Sequence, residues 1–211
     1  METHAAEILH FVIVTRYYPP EISGGARRPF LYVKALRGLG HKVTIVSPFG
    51  DPGDPDHIKV AHPVSHITAT DNHDEAAETI TVFSKPRTVA RTWLLWPDPE
   101  IRWSRRVQKH LTAQNISADW VITTSPPVSL HCIGAPIAKA LNAKWLAEFR
   151  DTWIKSPHRK IVETSAMRRL IEQTIAKRSL RHVDAVTTVS KAVLSDVRAY
   201  IPKDTPELII G

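Results

Sequence analysis

A chain of 211 residues with 43% hydrophobic and 23% charged side chains can bury a real core and is too apolar to be a disordered polymer. One cysteine, Cys132, excludes an internal disulfide framework and points to a reducing, cytoplasmic setting. The formal charge of +7 is uneven: residues 51–78 sum to −6, 85–110 to +5 and 150–182 to +6, so two basic blocks flank an acidic loop. Such blocks attract anionic nucleotides, acidic lipid headgroups or nucleic acid, or else are ordinary solvated helix faces.

In chain order, Ile8-Leu9-His10-Phe11-Val12-Ile13-Val14 predicts a buried strand. It is too short to cross a bilayer, follows Glu7 rather than a basic stretch, and reaches Arg16 without a small-residue cleavage site. Neither a signal peptide nor a membrane helix is expected there. Tyr17-Tyr18-Pro19-Pro20 makes a long turn, and Gly24-Gly25 opens a helix predicted from Ala26 to Leu39, with Phe30, Val33, Leu36 and Leu39 along its inner side, Pro29 in its first turn and Gly40 as its stop. Further strands are predicted at 43–47, 80–83, 119–124, 144–149 and 184–188. The segment Pro48–Glu78, rich in Asp, Pro and His, reads as a long surface excursion. Asp98-Pro99-Glu100 and Ser125-Pro126 each pair a cap residue with a proline suited to a helix start. The second of these helices should bury Leu130, Ile133, Ile137 and Leu141. A long helix near 163–181 carries Met167, Leu170, Ile171 and Ile175, and Ser190 should cap the last one. Strands alternating with helices predict one α/β domain over 1–211: a doubly wound, mostly parallel Rossmann-like sheet with helices on both faces.

In such a sheet ligands bind beyond the carboxyl ends of the strands, near the point where strand order reverses. The candidates are therefore Gly24 and Gly25, Thr124 and Ser125, then Arg150, Asp151 and Trp153, and finally Ser190 and Lys191. Glycines at a helix start let an anion approach amides that have no partner inside the helix. The G-x-G-x-x-G spacing is absent, and no acid closes the second strand, Val43-Thr44-Ile45-Val46-Ser47-Pro48, which counts against a nicotinamide dehydrogenase. A Walker loop is also missing. His57, His62, His66 and His73 match no standard metal-ligand spacing and read as solvated loop. Trp93-Leu94-Leu95-Trp96 among Arg87, Arg91, Arg102, Arg105 and Arg106 suits a membrane interface, or else is an apolar anchor under the sheet followed by a basic helix. No aromatic-basic motif supports nucleic-acid recognition.

Five pieces occur in order: Tyr17-Tyr18-Pro19-Pro20 with Gly24-Gly25; Gly38-Leu39-Gly40-His41-Lys42-Val43-Thr44; Thr124-Ser125-Pro126-Pro127; Phe149-Arg150-Asp151-Thr152-Trp153; and Asp184-Ala185-Val186-Thr187-Thr188-Val189-Ser190-Lys191. Together they resemble the N-terminal domain of family 4 glycosyltransferases, retaining enzymes of the GT-B architecture. Each piece is common, but the ordered set is specific and covers essentially the whole chain. The resemblance implies an acceptor-side domain that works with a C-terminal, donor-binding domain supplied in cis or in trans. Pro206-Glu207-Leu208-Ile209-Ile210-Gly211 resembles the strand leading into that second domain, which is expected to be absent here.

The implied substrates are a nucleotide-sugar donor and a glycan or lipid-linked acceptor, with no metal or other cofactor. Asp151 falls where a carboxylate can orient an acceptor hydroxyl or stabilise charge on the sugar ring, as the catalytic candidate. A helix cap or an ion pair with Arg150 is the competing reading. Gly24, Gly25, Ser125, Arg150, Trp153 and Ser190 are the substrate-binding candidates. Trp153 either stacks on a sugar or packs in the core or against the other domain. Ser125 stands where many members carry a histidine; His131, further on, and Cys132 read as packing residues. The isolated chain is expected to be inactive, and the alternative is a module recruiting a separate donor subunit or an anionic membrane surface. The expected location is cytoplasmic, peripheral at the inner membrane face.

Overall fold

Alternating runs of β-branched residues and amphipathic segments fold, among the described residues, into seven strands with helices on both sides. The computed structural model describes residues 7–63, 97–155 and 166–210. In order they form β1 (His10–Val14), α1 (Gly24–Gly38), β2 (Lys42–Ser47), β3 (His57–Lys59), α2 (Ile101–Thr112), β4 (Trp120–Ser125), α3 (His131–Ala140), β5 (Lys144–Phe149), α4 (Ala166–Leu180), β6 (Ala185–Thr188), α5 (Lys191–Val197) and β7 (Glu207–Ile209). The sheet order is β3-β2-β1-β4-β5-β6-β7, and every pairing is parallel. Strand order reverses between β1 and β4, so the switch point lies at their carboxyl ends.

Side chains alternate across a strand, and the two faces are buried differently. Val12, Val14, Val121, Trp145, Ala147 and Phe149 join Trp103, Val107 and Leu111 of α2, Ile133 and Ile137 of α3 and Ala176 and Leu180 of α4 in the larger core. Ile13, Val43, Ile45 and Ile122 meet Val33 of α1 and Tyr18 in a smaller one. Gly134 lets α3 lie directly on β5: a Cβ there would run into the indole of Trp145.

Several boundaries differ from those read along the chain. Helix α1 starts at Gly24, so Pro29 is its sixth residue, and the buried positions are Ala26, Pro29 and Val33. Phe30 is 43% exposed and Leu39, past the helix end, 71%. Gly40 does stop the helix: at φ +85° it hands its N–H to Arg37 while His41 N–H reaches Leu36, both carbonyls being otherwise orphaned. Asp98 caps a turn before α2 rather than the helix itself, accepting the Glu100 N–H at 3.0 Å and the Ser129 N–H at 2.8 Å. Ser125 ends β4 and caps nothing; a 3-10 turn (Val128–Leu130) intervenes before α3, whose expected face of Leu130, Ile133, Ile137 and Leu141 is buried.

In α4 the inner side is Arg168, Glu172, Ala176 and Leu180, because an ion pair of 3.8 Å between Arg168 and Glu172 makes two charged residues buriable. Met167 and Leu170 point outward instead. Part of the expected surface excursion is β3, whose His57 is buried, and Pro206–Ile210 supplies an edge strand of the same sheet. The strand expected at 80–83 and the Trp93–Trp96 segment lie outside the described residues. Among the described residues no helix is long and apolar enough to cross a membrane.

Candidate functional site

The carboxyl ends of β1, β4 and β5 share one rim, and Arg150 ties their following segments together. Parity along β5 puts Leu146, Glu148 and Arg150 on the α1 side of the sheet. From there the guanidinium donates from Nε to the Ser125 carbonyl and from Nη1 to the Gly25 carbonyl, each at 2.9 Å. The second bond has a local cause. In a helix the Gly25 carbonyl would accept the N–H of residue 29, but Pro29 has none. The proline releases an acceptor in the first turns of α1, and Arg150 takes it.

Packing alone requires a glycine at position 25. A Cβ there would sit 2.9 Å from Cγ of Tyr17, so the missing side chain seats that ring. Gly24 differs: it is exposed, nothing lies within 4 Å of where a Cβ would stand, and Ser23 before it makes no side-chain cap to the helix amides. The amide end of α1 therefore presents open backbone at the rim, with the positive end of the helix dipole behind it.

Two buried charges underlie this rim. Arg16, at the end of β1, lies 3.4 Å from Glu100 and 3.7 Å from Glu21, with its guanidinium over the rings of Tyr17 and Phe49. Glu100 also receives His62 at 2.6 Å, so one carboxylate ties the loop after β3 to the start of α2 and to β1. Glu148 is 1% exposed and 3.6 Å from Nε of Arg28. Burial pushes its carboxyl up to about 7, against the pull of Arg150 and Arg28.

The Glycosyl transferase 4-like domain matches residues 23–210, nearly the whole chain and the rim from Ser23 onward. The chain belongs to that family. The glycosyl transferase 4-like fold is shared with sucrose-phosphate synthase from Thermosynechococcus elongatus (TM-score 0.56, 15% identity, covering 95% of this chain and 47% of that one). It is also shared with the catalytic domain of starch synthase IV from Arabidopsis thaliana bound to ADP and acarbose (TM-score 0.51, 13% identity, covering 97% and 52%). The chain thus spans about half the length of both. No match was found among curated proteins.

Within this glycosyl transferase 4-like domain the expected residues fare differently. Arg150 and the carbonyls of Ser125 and Gly25 come together, with exposed Asp151 following directly. Arg150 turns to those carbonyls in place of Asp151. Ser125 is fully buried, its hydroxyl donating to the Glu148 carbonyl at 3.3 Å, so it offers no hydroxyl to a ligand. Trp153, 2% exposed, packs beside Phe149 and His131, which leaves no indole face for a sugar. Ser190 caps α5 by accepting the Val193 N–H at 3.3 Å.

His131 is a packed residue: burial lowers its pKa to about 3, and the neutral ring meets Thr123 Oγ1 at 2.8 Å while Trp145 Nε1 donates to the same hydroxyl. His57 bonds Ser47 and His62 bonds Glu100, whereas His66 and His73 lie outside the described residues. No group of three or more metal-ligating side chains occurs among the described residues. Chain reading missed Arg16, Glu148 and the part played by Pro29. A charged residue beside an apolar strand was the available signal for the first two, and it does not say which carboxylate or guanidinium will stand opposite.

Proposed function

We propose that this domain is the acceptor-side half of a retaining glycosyltransferase, which passes a sugar from a nucleotide-sugar to an acceptor such as a glycan or lipid-linked glycan. One observation carries the reading: Arg150 bridges Ser125 and Gly25, which joins the open amide end of α1 and the segment that leads into Asp151 at the carboxyl edge of the sheet. Donor phosphate or the transferred sugar would approach the backbone at Gly24. Asp151 would orient an acceptor hydroxyl or stabilise positive charge developing on the sugar ring. Neutralising the leaving group falls to a donor-binding domain. The half-length coverage of both similar structures supports such a partner, and the ADP and acarbose named for the Arabidopsis enzyme support nucleotide and sugar chemistry. No metal or further cofactor enters this reading, and the sole cysteine fits a cytoplasmic location.

The test is transfer of labelled sugar from a panel of nucleotide-sugars. The 211-residue chain alone should give none, and a donor-binding domain fused or added to it should restore transfer. In that complete enzyme Asp151→Asn should lower kcat about a hundredfold or more. Transfer by the chain alone sinks the half-enzyme proposal; full activity of the variant removes Asp151 from the chemistry. A non-catalytic module recruiting a separate donor subunit is the second reading, favoured by the same half-length coverage. Copurification of a donor-domain polypeptide in trans selects it.

A further inference from the structure

Helices α2, α3 and α4 lie side by side on one face of the sheet, α3 touching both neighbours, and all three send their apolar residues into the same core. Their outward sides therefore point the same way. On α2 that side is Arg102, Arg105, Arg106 and Lys109, all exposed, while Trp103, Val107 and Leu111 face inward. At the far flank α4 ends in exposed Lys177 and Arg178, followed by Arg181. Between them α3 shows Lys139.

Opposing charge is nearly missing from these helices. Neither α2 nor α3 contains an acidic residue, and the single one in α4, Glu172, is buried against Arg168. Asp184, at the edge of the groove between α3 and α4, accepts the Trp145 N–H. Two basic blocks some seventy residues apart in the chain thus become one cationic face, a convergence that only the tertiary structure produces.

We propose that this three-helix face docks on a membrane surface rich in anionic lipid. Charge of one sign spread over a broad helical layer complements such a surface, whose potential attracts each nearby cation. The outward stripe of α4 adds a second argument. Ahead of Lys177 and Arg178 it carries Met167 and Leu170, 61% and 64% exposed, apolar side chains that a headgroup layer absorbs and a phosphodiester backbone does not. Nucleic acid is the weaker occupant, because the one aromatic of α2–α4, Trp103, is fully buried and cannot stack on bases. The proposal is independent of sugar transfer: vesicle binding can fail with transfer intact, and the reverse.

Cosedimentation with vesicles tests it, using phosphatidylcholine alone and phosphatidylcholine mixed with phosphatidylglycerol, at low and high salt. The chain should bind the acidic vesicles, weaken steeply with salt, and ignore the neutral ones. Each cation near an acidic surface contributes about fivefold in affinity. Charge reversal on α2 (Arg102→Glu, Arg106→Glu, Lys109→Glu) should therefore cost about a hundredfold or more, and reversal on α4 (Lys177→Glu, Arg178→Glu) about twenty-fivefold or more. Met167→Ser with Leu170→Ser should cost about tenfold, with the salt dependence kept. All these positions are exposed, so matched denaturant midpoints would show the variants folded. No binding, equal binding to neutral vesicles, indifference to either charge reversal, or tighter binding to duplex RNA or DNA that competes with vesicles would each overturn the proposal.

Discussion

Glu148 sits on the α1 side of β5, opposite Thr187, where an alternating strand would ordinarily bury a hydrophobe. Its folded-state pKa of about 7 lies above the ordinary 4.5, so the folded chain keeps a proton that the unfolded chain has released across that interval. Stability linked to this group is fully present below the unfolded value and is lost as pH rises through about 7. Glu148→Gln removes the ionisable group and keeps its shape. Denaturant midpoints should be similar for the two proteins near pH 5. By pH 8 the variant should be more stable, by up to about 3 kcal/mol. A difference that does not change with pH would contradict this account of Glu148.

At the scale of elements, the start of α1 and the end of β5 are coupled by a missing hydrogen bond. Arg150→Ala should cost about 1–2 kcal/mol, the usual range for charge-assisted bonds at a partly exposed site. In a Pro29→Ala background the new N–H at position 29 can take the Gly25 carbonyl, so losing Arg150 should cost less there. A coupling of about 0.5–1 kcal/mol in the double-mutant cycle is expected, and strict additivity would refute the link. Helix α3 offers a steric counterpart. Gly134→Ala drives a methyl into the Trp145 indole, in a core with no room to shift, and should cost about 3 kcal/mol in urea unfolding. An unchanged midpoint would show that α3 can slide.

Across the whole molecule, β1 is the hinge of the topology. It pairs with β2 on one side and with β4, more than a hundred residues further on, on the other. Early and late parts of the chain therefore share one sheet, and Trp103 and Trp145 report from the same larger core. Far-ultraviolet circular dichroism and tryptophan fluorescence should follow a single coincident unfolding transition. Two separated transitions would mean that the described sheet melts in parts. The rim lies at the carboxyl edge of the sheet, and the cationic helices pack on one of its faces.

Periodicity and punctuation in the chain determined the α/β class, five of the described strands, the helix stop at Gly40 and the cap at Ser190, since each depends on backbone preferences within a few residues. The rim was legible as well, because alternating strands and helices imply parallel pairing, which puts the carboxyl ends of the strands on one edge, whereas the strand order came only from the structure. Side-chain fate was decided only in three dimensions. Ser125 and Trp153 turn inward, Gly25 makes room for Tyr17, Met167 and Leu170 turn outward, and Glu148 is buried beside Arg28. Each outcome depends on which distant residue stands opposite, and the free energy of burying a polar or apolar group is set by that neighbour and not by the residue's place in the chain.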